Sequence, residues 1–199
     1  MEPKINPNDF KGVDPMERPW HDGMSNHDFA LGFFIYSKDE TFRYGDGTPI
    51  TGFNFDPYVT DNDGKKVYYQ RGLVWTLEQK QNFIESLYLG LNCGVVVLKM
   101  NDDVTAKEVG AEYDVVDGKQ RISTIIEFVN NEFPDLHGNY YRDFSKVAVR
   151  KFGQLRAMDG WVIGPEGSDK LVKRAFLNVN HTGVPMSKEH IEFVKSINL

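Results

Sequence analysis

The stretch YDVVDGKQRISTIIEFVN, from Tyr113 to Asn130, constrains the fold more than any other part of the chain. Tyr113, Val115 and Val116 read as the end of a buried strand, whereas Ile122, Ile125, Ile126 and Val129 recur at i, i+3, i+4 and i+7, the core-facing stripe of a helix. The period changes across Asp117-Gly118, so the segment predicts strand, tight turn, helix. A helix starting just past that turn aims unpaired backbone N–H groups and a positive dipole end into it, which holds phosphate without a dedicated cation. Lys119 and Arg121 add cations at the same end, where they oppose the dipole unless an anion compensates. The plainer alternative is that Asp117 only caps the helix and Gly118 only turns.

Around this centre the chain offers further elements. Thr76 with Gln79 forms a capping box that opens a helix from Leu77 to about Leu89, with Phe83, Ile84, Leu87 and Tyr88 on its apolar face and Gly90 at its end. Gly94 to Met100, GVVVLKM, is of strand type, and Asn101-Asp102-Asp103 is expected to turn it back toward the central strand. With a strand at Val67 to Gln70, the core order predicted is strand, helix, strand, strand, helix. Beyond Pro134, Phe144 to Arg156 is helical in part, Trp161 to Ile163 is a short strand, and Lys170 to Val179 and Lys188 to Ile197 are helices, the last capped by Ser187. Asp61 to Gly64 reads as a hairpin turn, because a calcium loop would need a later Glu. Tyr44 to Pro49 reads as a turn, and FALGFFIY, 29–36, as a strand or short buried helix.

Charge is uneven along the 199 residues. Residues 1–64 hold five Lys or Arg against twelve Asp or Glu, a net of −7, and residues 135–199 hold ten against seven, a net of +3. Residues 1–64 are therefore expected to form an acidic N-terminal extension, rich in Pro and polar residues at its start, and residues 65–199 the folded domain. A single cysteine, Cys93, excludes a disulfide framework and a Cys-based zinc site and fits a reducing cytoplasmic setting. It reads as a small buried hydrophobe. No apolar run is long enough for a membrane span, and MEPKINPNDFKG is not a signal peptide. His21-Asp22 and His27-Asp28 lack a third convergent ligand and read as loop polar residues.

Taken together, YQRGLVW (69–75), the helix with ESLYLG (85–90) and YDVVDGKQRISTI (113–125) resemble the family whose signature is Asp-Gly-Gln-Gln-Arg. That family, domain of unknown function 262, includes the N-terminal half of GmrSD-type restriction enzymes and the N-terminal domain of the defence nuclease SspE. FLNVNHTGVPMSKEHI (176–191) resembles its later element, so the likeness spans roughly residues 67–195. The resemblance implies an α+β, ParB/sulfiredoxin-like domain, a small mixed sheet packed with helices. It also implies NTP binding or hydrolysis coupled to DNA recognition or cleavage. Asp117, Gly118, Gln120 and Arg121 match the signature, Lys119 replaces its usual first Gln, and Gln70 and Arg71 match the preceding Gln-Arg element. No His-Asn-His nuclease domain follows within the 199 residues, so cleavage is expected to come from this domain or from a nuclease partner.

Roles follow from the chemistry of these side chains. Arg71 and Arg121 would grip phosphate oxygens bidentately, Lys119 would neutralise developing charge, and Asp117 would carry Mg²⁺ or orient a water. Gln70 and Gln120 would position rather than react. The expected catalytic set is Asp117, Arg121, Arg71 and His181, the last as general acid or base. The expected nucleotide-binding set is Gln70, Gly118, Lys119, Gln120, Ser123, Thr124 and Asn180, with Asp117 as metal ligand. Trp75 reads as core rather than as a base-stacking platform. The function expected is an NTP-binding and NTP-hydrolysing module, using NTP with Mg²⁺, in a DNA-linked system. Its rivals are a non-catalytic binding protein and a DNA-nicking nuclease.

Overall fold

A run such as GVVVLKM, apolar at successive positions, suits a strand covered on both faces. In the computed structural model, which describes residues 24–37, 42–43, 49–155, 158–182 and 187–199, it is used that way. The elements in chain order are β1 (Met24–Phe29), α1 (Leu31–Ser37), β2 (Phe42–Arg43), β3 (Pro49–Asn54), β4 (Tyr58–Thr60) and β5 (Lys66–Tyr68). There follow α2 (Leu77–Tyr88), β6 (Val95–Met100), α3 (Asp103–Val109), β7 (Ala111–Asp117) and α4 (Lys119–Val129). The chain closes with a 3₁₀ turn (Tyr141–Asp143), α5 (Lys146–Gln154), β8 (Met158–Ile163), α6 (Asp169–Thr182) and α7 (Lys188–Ser196).

Six strands form one mixed sheet in the order β1-β8-β6-β7-β3-β2. β3 runs parallel to β7 and β6 parallel to β8, while β6 with β7, β1 with β8 and β2 with β3 are antiparallel. Alternation sends Val96, Leu98 and Val115 to one face, where they pack with Phe34, Ile84, Leu87, Ile122, Ile125, Phe128 and Phe152 of the helices. Val97 and Val116 point to the other, under Val172, Phe176, Ile191 and Val194 of α6 and α7. The expected α+β class, a mixed sheet packed with helices, is what forms. The capping box at Thr76 and Gln79, the Ser187 cap and the Asp61–Gly64 hairpin turn also form, with Asp61 Oδ1 accepting from the Asp63 and Lys65 amides.

Other expectations are corrected. The break at residue 64 has no counterpart in the sheet, since β1 and β3 from before it pair with β8 and β7 from after it. FALGFFIY, by contrast, forms the short buried helix expected of it, and it belongs to the core: Phe29 ends β1, and Leu31, Phe34 and Ile35 are buried on α1. Asn101-Asp102-Asp103 does not lead straight back into a strand. Asp102 Oδ1 accepts the Thr105 amide at 2.7 Å, and Gly110, at φ 72°, closes the helix, so α3 intervenes between β6 and β7. The Tyr44–Pro49 turn lies, but for Pro49, outside the described residues, as do His21 and Asp22. No helix among the described residues is long and apolar enough to cross a membrane.

Candidate functional site

Asp117 ends β7 at the centre of the sheet, Gly118 turns the chain at φ 103°, and α4 begins at Lys119. A Cβ on Gly118 would lie 3.0 Å from Val96 Cγ2, so both its dihedral and its contact with β6 favour glycine. Asp117 is not the helix cap. Gly118 holds that position, and no side chain caps α4, in contrast to α2, α3, α5 and α7.

Asp117 is instead an ion-pair partner. Arg121 Nη2 donates to Asp117 Oδ2 at 2.5 Å and to the Val95 carbonyl at 2.6 Å, which ties the first turn of α4 back to the start of β6. Arg121 Nε is buried without a hydrogen-bond partner among the described residues. Gly94, at φ 93°, makes room for this guanidinium, because a Cβ there would fall 2.7 Å from Arg121 Nη1. Burial pushes the Asp117 carboxyl above its usual range, against the pull of Arg121, the Gly118 amide and Arg71.

The remaining signature residues are fastened to the scaffold. Lys119 Nζ donates to Asp56 Oδ1 at 2.6 Å. Gln120 Oε1 accepts the amides of Val74 and Trp75 at 3.0 and 3.2 Å, and its Nε2 donates to the Gly72 carbonyl at 2.9 Å. Gln70 Nε2 donates to the carbonyls of Val115 and Val116 at 2.7 and 2.8 Å. Thr124 is buried, and its hydroxyl is taken up by a bond to the Gln120 carbonyl within α4. Arg71 is half-buried and has no hydrogen bond or ion pair among the described residues, although its charge reaches Asp117. Ser123 is half-buried on α4. Asn180 and His181 fall in the last turn of α6, and their side chains lie outside the described residues. Trp75 packs against Phe83 at the edge of the core. Cys93, expected to be buried, is only half-buried; it donates to the Leu91 carbonyl, and what burial it has raises its thiol.

Sequence reasoning passed over Asp56, Gly94 and the Gly72–Trp75 backbone, each of which meets the signature across a long stretch of chain. It also passed over a second polar cluster, where buried Asp114 accepts from Asn54 and Asn101 at 2.7 and 3.2 Å. Of the Asp117 carboxylate, Oδ2 is engaged by Arg121, and no three His, Cys, Asp or Glu among the described residues gather around a metal position.

Residues 63–160 match the family described as GmrSD restriction endonuclease, N-terminal domain. That stretch contains Gln70, Arg71 and the whole Asp117–Arg121 turn, and it ends before α6 and α7. No curated protein and no solved structure matches the chain.

Proposed function

We propose, for a chain whose residues 63–160 match the N-terminal domain family of GmrSD restriction endonucleases, that it binds a nucleoside phosphate at the Asp117–Arg121 turn within a DNA-linked restriction or defence system. The observation that carries this is Arg71. It is the signature cation without an internal carboxylate, and it stands near Asp117 in a loop that Gln120 fastens to the start of α4. A guanidinium beside an uncapped helix N-terminus suits bidentate recognition of phosphate oxygens.

The test is a calorimetric titration of the full chain with each of the four NTPs, with and without Mg²⁺. Saturable binding is expected for the parent, and Arg71→Ala should weaken it by about 1.5–3 kcal/mol, the cost of removing a charged hydrogen-bond partner. Unchanged affinity in a folded Arg71→Ala variant would sink the phosphate site.

Binding without turnover is favoured over hydrolysis by one observation: the Asp117 carboxylate is already paired with Arg121 rather than free to act on a water. Phosphate release from bound NTP, measured with and without duplex DNA, separates the two. The DNA arm is supported by α5, whose Lys146, Arg150 and Lys151 are exposed and, with Arg142 just ahead, unpaired with any acid among the described residues. The double variant Lys146→Glu/Arg150→Glu is expected to weaken duplex binding most at low salt, because phosphate contacts release counterions.

A further inference from the structure

Lys119 and Asp56 form an ion pair whose halves differ sharply in exposure. The lysine side chain is 10% exposed and the aspartate 76%, with Nζ 2.6 Å from Oδ1. Lys119 is the first residue of α4 and cannot leave the core. Asp56 stands two residues past the end of β3, its amide donating to Asn54 Oδ1 at 3.1 Å. Because β3 is parallel to β7, with Asn54 opposite Asp114, Asp56 lies at the same end of the sheet as the Gly118 turn.

A buried ammonium in the first turn of a helix is unfavourable twice over, by desolvation and by opposition to the dipole. An anion relieves both, and in this structure the anion is Asp56. A carboxylate that is mostly in water gives up little when it swings away. The lysine, by contrast, must keep a negative partner.

The geometry points to Asp56 as an internal substitute for a ligand phosphate, which occupies Lys119 until a terminal phosphate displaces it and so sets the affinity of the site. This rests on the phosphate-binding function proposed above and narrows its ligand to nucleotides with a free terminal phosphate. That phosphate carries more than one negative charge at neutral pH and outcompetes a single carboxylate for the ammonium, whereas a nucleoside offers no such group.

Asp56→Asn keeps the size of the side chain and the backbone bond to Asn54 while removing the charge. Titrations with each NTP, with pyrophosphate and with adenosine would be run on the full-length parent, Asp56→Asn, Lys119→Met and the double variant. Asp56→Asn should bind NTP and pyrophosphate about tenfold more tightly, with no gain for adenosine and no gain in the Lys119→Met background. Without ligand it should also melt at a lower temperature than the parent, since it strands Lys119, and pyrophosphate should restore the loss. A parent that binds NTP and an Asp56→Asn variant that binds no more tightly would overturn the displacement while leaving the phosphate site standing. An equal gain in the Lys119→Met background would overturn it too, reducing Asp56 to general repulsion. Absence of NTP binding in both parent and Asp56→Asn would remove the phosphate site as well. If Asp56→Asn fails to fold alone, rescue by pyrophosphate supports the displacement, and failure of rescue overturns it.

Discussion

Gly118→Ala is expected to lose about 1–2 kcal/mol of stability and Gly118→Val more, because positive φ strains any Cβ and Val96 stands 3.0 Å from where it would be. Urea unfolding of the two variants checks the order. That Asp-Gly is a turn can be read from sequence, since the freedom of glycine belongs to one residue. That Asp117 pairs with Arg121 instead of capping cannot, because it depends on Gly94 leaving room for the guanidinium from a different element. Asp114 shows the same limit. Burial raises its carboxyl above the usual range and outweighs the hydrogen bonds from Asn54 and Asn101 and the charge of Lys99. The folded chain therefore takes up this proton at a higher pH than the unfolded chain. Ionised Asp114 costs stability at neutral pH, and its contribution improves as pH falls through the folded value toward the ordinary carboxylate range. Asp114→Asn keeps the Oδ1 acceptor without the charge. It should be more stable than the parent at pH 7, with the difference shrinking toward about pH 4. Denaturation at several pH values would show this, and a variant less stable at pH 7 would contradict it.

Among elements, those with local signals are the ones the sequence reveals. The Thr76–Gln79 capping box marks the start of α2, and the apolar stripe of α4 marks its buried face. α3 has local signals too, in Asp102 and Gly110, but it spans only seven residues, and its cap looks like an ordinary polar turn. The work of Gln120 is invisible in sequence because its partners lie forty-five to forty-eight residues away. It closes the loop from Gly72 to Trp75 through two accepted bonds and one donated bond. Gln120→Ala would leave those backbone groups unpaired, at an expected cost of about 1–3 kcal/mol. Hydrogen exchange should accelerate at the Val74 and Trp75 amides while α4 stays protected. Equal protection in both proteins would show that the loop holds its shape unaided. Since Arg71 sits at the start of this loop, the same variant should also weaken NTP binding without removing any charge.

For the whole molecule, the decisive fact is that the sheet is built from both ends of the chain. Composition separates an acidic first third from the rest, yet composition reports charge on the surface, whereas folding follows what is buried. β1 completes one edge against β8, β3 flanks the central β7, and α1 contributes Leu31 and Phe34, both fully buried, to the core beneath α4 and α5. The cut that would separate an arm from a domain at residue 64 therefore passes through a shared core. Burying an apolar side chain of this size contributes about 1.5–3 kcal/mol, and Phe29, Leu31, Phe34, Ile35 and Phe53 all lie before residue 64. Losing them together is comparable to the whole of the usual margin, roughly 5–15 kcal/mol for a domain. Deleting residues 1–64 should thus yield a chain with no cooperative thermal transition, and deleting residues 1–37 should be nearly as damaging. The informative comparison is a deletion of residues 1–23, which leaves β1 intact. Calorimetry should show a two-state transition for that variant alone, and a cooperative transition in the chain lacking residues 1–64 would mean that β7 and β8 find other partners.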